Sequence, residues 1–210
     1  MNEKKFDRLY QHYVKYFNAT EEPRIFHPHT EAGQLHVDIV LIKPSEAFPF
    51  QVLATIGASD VRLKKDPRTI SDRNEYVTFV PADWDMTAPE NCWVLNLLGT
   101  TAHYPKETGE LITYSHTIDC SAILEDLQSD SFNMTSVGLL FPEVTASGVL
   151  RCKTGLFENV TILQMMPLTR AEMDEIMARR EKGQPDWSDM FYPEDDEAYE
   201  KQPYLCACKR

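Results

Sequence analysis

Residues 35–56 decide the fold of this chain, and they read LHVDIVLIKPSEAFPFQVLATI. The stretch holds two apolar, β-branched runs, Leu35 to Ile42 and Phe50 to Ile56, whose length and composition are typical of β-strands. The intervening residues 43–46 (KPSE) place a proline among polar side chains, which predicts a turn. We therefore expect two neighbouring strands of one sheet.

Further elements are predicted on both sides of this pair of strands. Apolar residues at helical spacing predict a helix from about Glu3 to Phe17, and two capping-box patterns, Thr87 to Glu90 and Thr169 to Glu172, predict the starts of two more helices. The last helix is expected to end near Arg180. Additional strands are expected at Glu75 to Val80, Leu111 to Thr117, Val137 to Phe141 and Phe157 to Met165. Because helices and strands do not alternate strictly, we predict an α+β fold with a mixed or antiparallel sheet flanked by helices.

The 210 residues are expected to form a single domain, residues 1–183, followed by an acidic C-terminal tail, residues 184–210. The boundary is set by Gly183, which fits a helix C-cap, and by Pro185, which prevents the helix from continuing. The tail combines carboxylates with aromatic residues, and a segment that serves only solubility lacks such aromatics. We therefore expect the tail to dock on another surface.

Charge and composition exclude several classes of protein. The formal net charge is −12, whereas nucleic-acid binding requires a basic surface. No apolar run approaches the roughly 20 residues that span a membrane, and the N-terminus lacks a secretory signal pattern. Five scattered cysteines fit reduced thiols better than a disulfide framework. We expect a cytoplasmic protein whose partner is a basic protein.

Acidic and aromatic residues at two places are the candidate contacts for that partner. Asp83, Trp84 and Asp85 follow a predicted strand, and we expect an exposed corner with its ring packed inward. The candidates in the tail are Asp186, Trp187, Asp189, Phe191, Tyr192, Glu194, Asp195, Asp196 and Glu197. Carboxylates attract a basic partner at long range, and aromatic side chains supply buried contact area.

Histidines near the first strand come closest to a metal site in the sequence. His27 and His29 flank a proline, and His36 and Asp38 occupy alternate positions, so each pair would point to one side of an extended backbone. Nothing in the sequence requires the two pairs to meet. We therefore expect a hydrogen-bonded polar pair at His36 and Asp38, with no metal and no cofactor. A metal-dependent enzyme built on these four residues is kept as the alternative.

Ser115 and His116, with Asp119 behind them, supply the residue types of a serine hydrolase. Neighbouring residues on a strand point to opposite faces, and no nucleophile-elbow motif is present in the sequence. We therefore expect these side chains to hold backbone groups at a strand end, and no catalytic residue is predicted. A hydrolase that uses Ser115 and His116 is the second form of the enzyme alternative.

Several motifs, in an intact order from roughly Leu35 to Arg180, resemble those of the suppressor of fused domain family. They are a His-x-Asp-Ile strand (His36, Asp38, Ile39), a Thr-x-Gly-x-Ser turn (Thr55, Gly57, Ser59), a Pro-x-x-Trp strand end (Pro81, Trp84), a Trp-containing helix (Trp93), a His-Thr element (His116, Thr117) and a Pro-Leu-Thr-x-x-Glu helix start (Pro167 to Glu172). The chain departs from the family at Ala58, where methionine is frequent, and at Ser115, where glycine is usual.

This resemblance implies a non-enzymatic α+β protein-binding domain. In animals, members of the family hold a transcription factor of the Hedgehog pathway by gripping a short peptide, which enters between two lobes and extends a sheet. The present chain is too short for that second lobe. Stand-alone bacterial relatives resemble immunity proteins of polymorphic toxin systems. We therefore expect an immunity-type protein that binds and neutralises a partner toxin.

Overall fold

The computed structural model describes residues 2–28, 33–62, 71–110, 112–121, 134–142 and 150–191, and there three α-helices flank one eight-stranded sheet. The helices are α1 (Glu3–Tyr16), α2 (Trp93–Thr108) and α3 (Arg170–Glu181). The strands are β1 (Arg24–Phe26), β2 (Asp38–Ile42), β3 (Phe50–Ile56), β4 (Asn74–Pro81), β5 (Thr117–Asp119), β6 (Met134–Leu140), β7 (Arg151–Lys153) and β8 (Asn159–Thr169). His29, Tyr192, Glu194, Asp195, Asp196 and Glu197 lie outside the described residues. None of the described helices is long and apolar enough to cross a membrane.

The sheet is mixed, and its strand order is β1-β2-β3-β4-β8-β6-β5. Strands β4 and β8 run parallel, whereas the other pairs are antiparallel. Strand β7 pairs with the first residues of β8, and β6 pairs with the later residues of β8. The two strands β7 and β6 therefore follow one another along β8. The predicted α+β class with a mixed sheet is therefore confirmed.

The central strands β2, β3 and β4 are buried along their whole length because both faces of the sheet are covered. In β2, Val40 and Ile42 join the core cluster under α1, whereas Ile39 and Leu41 join the cluster under α2. This alternation follows from the two-residue period of side chains along a strand. A sheet covered on both faces produces the continuous apolar runs seen in the sequence.

The first helix matches its prediction closely. The Asn2 side chain caps it by accepting a hydrogen bond from the backbone amide of Lys5 at 2.9 Å. Leu9, Tyr13 and Phe17 are fully buried on the sheet, as the helical spacing predicts. The Tyr13 hydroxyl also donates to the carbonyl of Thr55 at 2.8 Å, which ties the helix to β3.

The third helix also begins where the sequence places it. Thr169 and Glu172 form the predicted capping box, and the Thr169 side chain accepts from the Glu172 amide. At the C-terminus, Gly183 has φ +78°, and its amide donates to Arg180 while the Gln184 amide donates to Arg179. These two bonds form a Schellman motif, which explains the glycine at this position.

Two predictions about the elements are wrong, and two strands were not predicted. The helix expected from Thr87 begins at Trp93, because the Thr87 hydroxyl donates to Asp85 instead of capping the helix, and a short 3-10 turn (Pro89–Asn91) comes before α2. Residues 112–116 do not form a strand, and pairing starts only at Thr117. Strands β1 and β7 were missed because each has three residues, too few to establish an alternating pattern.

The sequence predicts that the folded domain ends at Gly183. The structure continues the folded domain beyond that residue. Trp187 is fully buried in a small cluster with Leu140, Leu168 and Ile176, between α3 and the sheet. The ring lies so close to Gly138 that a Cβ there would be 2.7 Å from Cζ2 of the indole. The segment after α3 is therefore part of the folded core up to this tryptophan.

Candidate functional site

A buried carboxylate organises the Thr-x-Gly-x-Ser turn that follows β3. Glu75, on β4, is fully buried and accepts four hydrogen bonds from this turn. The donors are the Thr55 hydroxyl at 2.6 Å and the backbone amides of Gly57 at 2.9 Å, Ser59 at 3.0 Å and Ala58 at 3.2 Å. Burial raises the pKa of the Glu75 carboxyl, although the hydrogen bonds from Ser59, Thr55 and Gly57 oppose the shift.

Gly57 is required by the geometry of this turn. Its φ is +133°, a conformation that side-chain-bearing residues rarely adopt. A Cβ at this position would overlap the carbonyl oxygen of His36 and lie 3.0 Å from Cα of Val37. The glycine turn therefore packs directly against the backbone of the His-x-Asp segment.

Replacing Glu75 by glutamine is expected to lower the free energy of unfolding by about 3 kcal/mol, because the amide NH2 would face donors that now bond to a carboxylate oxygen. Chemical denaturation followed by circular dichroism measures the change. The control is Glu90→Gln, which makes the same substitution at an exposed residue and should leave the midpoint nearly unchanged. Equal midpoints for the two variants would contradict the role assigned to the buried carboxylate.

His27, His36 and Asp38 meet at the start of β2. His27 Nδ1 and His36 Nε2 each lie 2.8 Å from the same oxygen, Asp38 Oδ1. The Asp38 side chain is 8% exposed, whereas His27 is 64% and His36 48% exposed. The expected contact between His36 and Asp38 is therefore present, and His27, a member of the metal-dependent alternative, joins it on the same oxygen.

A groove runs beside this cluster. It has a volume of about 780 Å³ and lies between α2 and the first two strands of the sheet. Its lining includes Phe26 and His27 from the β1 side, Ile39 from β2, and Gly99 and His103 from α2. Strand β1 is an end strand in the described sheet, so it offers an edge to which an extended peptide could add.

The acidic corner, which we define as Asp83, Trp84 and Asp85, follows β4. Both aspartates are exposed, and the half-buried Trp84 ring packs edge-on against Trp93 at 6.3 Å between centroids. Gln51 donates from Nε2 to the Trp84 carbonyl at 2.7 Å, which fixes the backbone of the corner. The hydrogen bonds from the Thr87 hydroxyl and amide lower the pKa of Asp85.

The Ser115 segment has a structural role in the described chain. The Ser115 hydroxyl donates to the Pro185 carbonyl at 2.9 Å, and His116 Nδ1 accepts from the Thr113 amide at 3.3 Å. Arg180 donates to the Ser115 carbonyl at 2.8 Å and to the Thr117 hydroxyl at 3.0 Å. The φ of Ser115 is +65°, a left-handed conformation that favours glycine.

Only part of the proposed tail surface is within the described residues. Asp186 and Asp189 are exposed, and Asp189 pairs with Arg179 at 2.8 Å. Phe191 is half-buried and packs edge-on against Trp187 at 5.7 Å. Trp187 is fully buried, and its indole nitrogen donates to the Ser115 carbonyl at 3.0 Å. We therefore remove Trp187 from the candidate partner contacts, because its ring is already packed inside the protein.

The sequence does not identify Glu75 as the residue that holds the Thr55 to Ser59 turn. The sequence predicts Glu75 as the first residue of a strand, directly after the polar residues Asp72 to Asn74, so its immediate neighbours do not mark it as buried. The donors lie 16 to 20 residues earlier in the chain, so no local pattern identifies them.

Fold and surfaces together define a single α+β domain with an acidic corner and an open groove beside an edge strand. The family model described as Suppressor of fused protein (SUFU) matches residues 33–186, and the chain belongs to this family. No curated protein sequence gives a significant match.

Solved structures of the same fold are distant in sequence. A SUFU homolog from Neisseria gonorrhoeae FA 1090 has 11% identity and a TM-score of 0.59, with 87% of this chain and 91% of that chain covered. The Sufu–Fu complex gives 15% identity and a TM-score of 0.58, with coverage of 83% and 79%. Drosophila Suppressor of Fused gives 16% identity and a TM-score of 0.52, with coverage of 81% and 42%. These likenesses establish the shared fold.

Proposed function

We propose that this chain is a non-enzymatic protein-binding domain that binds a basic partner protein and neutralises it, as an immunity protein neutralises a toxin. The observation that carries the proposal is the acidic corner, where Asp83 and Asp85 are exposed on either side of an anchored Trp84. The rigid placement of the acidic corner favours affinity, because side chains that are already ordered lose less entropy when a partner binds.

Charge supports a basic partner. With a formal net charge of −12, the chain attracts positive proteins over a distance set by salt screening, about 8 Å at physiological ionic strength. Toxins that cut nucleic acids need basic surfaces to bind phosphates, so an acidic inhibitor complements them. A similar structure is described as the Sufu–Fu complex, in which that family member binds another protein.

The enzyme alternative receives less support at Ser115. Its hydroxyl donates to the Pro185 carbonyl, which joins two distant segments, and the Nδ1 atom of His116 accepts from the Thr113 amide, which closes a turn. A nucleophile needs its hydroxyl bonded to the base that will remove the proton. The binding function is therefore the better interpretation of this segment.

The proposal is tested by affinity purification from the native cells at low and high salt, with mass spectrometry of the proteins that co-purify. A truncated version should end after Phe191, because ending at Gly183 would remove the buried Trp187. The partner is then expressed alone and with this chain. We expect a basic partner whose expression stops growth unless this chain is present. An acidic partner, or a partner without effect on growth, would overturn the proposal.

Reversing the charge at the acidic corner should weaken binding of that partner. We expect Asp83→Lys to reduce the affinity about tenfold at low salt, and the difference from wild type should shrink at high salt. Titration calorimetry at two salt concentrations measures both effects. The matched control is Asp174→Lys, which makes the same charge change on the exposed side of α3. If both variants lose affinity equally, net charge rather than the corner determines binding.

A further inference from the structure

Three potential metal ligands converge where β1 and β2 begin to separate. Phe26 pairs with Ile39 in the antiparallel register, so His27 follows opposite Asp38. Residues directly opposite in a sheet place their side chains on the same face, and His36 lies two residues before Asp38. The register of the two strands therefore brings together three of the four residues that the sequence offered for the metal-dependent alternative.

We propose that His27 Nδ1, His36 Nε2 and the Asp38 carboxylate bind one divalent transition-metal ion, with zinc as the best fit. The three ligand atoms lie within 4.8 Å of one another. Two imidazole nitrogens and a carboxylate oxygen form a donor set that suits zinc, whereas calcium and magnesium prefer oxygen donors alone. The buried Asp38 holds both rings in place before the ion arrives, so little ordering is required.

Only a small movement converts the cluster into a site. Each nitrogen is now 2.8 Å from Asp38 Oδ1, and two ligands of a tetrahedral zinc ion with bonds of about 2.0–2.1 Å lie about 3.4 Å apart. Each nitrogen–oxygen distance would therefore lengthen by about 0.6 Å, which the exposed histidine side chains can accommodate. A neutral histidine can carry its ring hydrogen on either nitrogen. With the hydrogen on the nitrogen that does not face the ion, the other nitrogen has a free lone pair to coordinate it.

The location suggests a role in binding rather than in holding the core together. His27 also lines the groove beside β1, and both histidine rings are about half exposed or more. Three protein ligands leave a fourth tetrahedral position for water or for a donor from a bound protein. The ion would therefore stand at the exposed start of β2, with His27 also reaching the groove, independently of the acidic corner and of the proposed basic partner.

The test uses full-length, untagged protein that has been stripped of metal with EDTA and carries Cys206→Ser and Cys208→Ser, so that tail thiolates cannot compete. Cobalt(II) is added first, because tetrahedral coordination by protein ligands gives strong visible absorption bands. Zinc is then titrated by calorimetry. We expect tetrahedral cobalt bands and zinc binding at a one-to-one ratio.

Single substitutions assign the ligands. His27→Gln and His36→Gln alter exposed side chains, and each should weaken zinc binding at least about tenfold and remove the cobalt bands, since losing a ligand costs at least as much as losing an outer-shell partner. His12→Gln removes a histidine on α1 and should leave both signals unchanged. Circular dichroism confirms that the variants are folded. Absence of tetrahedral bands in the parent protein, or equal zinc affinity in parent and ligand variants, would overturn the proposal.

Discussion

Replacing Trp187 by alanine is expected to lower the free energy of unfolding by about 4 kcal/mol, the loss typical of a fully buried large aromatic side chain. The substitution leaves a cavity beside Gly138, in the cluster that Trp187 shares with Leu168. It also removes the hydrogen bond from the indole nitrogen to the Ser115 carbonyl. Urea denaturation followed by circular dichroism measures the loss.

Phe157→Ala is the matched control, because this phenylalanine is 93% exposed and its removal leaves no cavity. We expect its free energy of unfolding to lie within about 0.5 kcal/mol of the wild-type value. If Trp187→Ala were as mild as Phe157→Ala, the segment after α3 would not be part of the core, and the original boundary at Gly183 would stand.

Replacing Gly57 by alanine should also cost about 4 kcal/mol. Two effects add: backbone strain at φ +133°, and overlap between the new Cβ and the His36 carbonyl oxygen. Relief of that overlap requires backbone movement, because neither neighbour is a flexible side-chain end. Thermal and urea denaturation of the purified variant measure the loss.

Gly109→Ala separates the two effects. Gly109 also has a positive φ, +73°, but nothing lies within 4 Å of a Cβ built there. We expect a loss of about 1 kcal/mol from backbone strain alone. Similar losses at both glycines would mean that close packing of the turn on the His-x-Asp segment contributes nothing.

Two family motifs that are separate in sequence form one structural unit. The Thr55 to Ser59 turn wraps the Glu75 carboxylate on one side and touches the His36 backbone on the other. A change in this turn would therefore reach His36, one of the proposed metal ligands. Stability and metal affinity should be measured together in any Gly57 variant for this reason.

The sequence predicted best those elements whose signal is local. The first helix is predicted by its apolar face and the third by its capping box, and β3 agrees with its prediction to the residue, because its β-branched run is long enough to establish the pattern. The Thr87 capping pattern failed because a neighbouring carboxylate, Asp85, competes for the same hydroxyl.

Distant contacts decided the rest. Glu75 meets donors from the turn after β3, His27 meets Asp38 through the register of β1 and β2, and Trp187 folds back onto β6 and α3. None of these contacts has a spacing that repeats along the chain, so no periodic pattern could reveal them.

By itself, the sequence determined an acidic α+β chain, its principal helices and strands, and its resemblance to a family, because composition, capping and hydrophobic period are properties of neighbouring residues. Only the tertiary structure decided which polar groups meet: a carboxylate enclosed by four donors, two histidines on one aspartate, and a tail tryptophan inside the core. The physical reason is that burial and strand register bring these groups together, and both arise from packing between parts of the chain that are far apart in sequence.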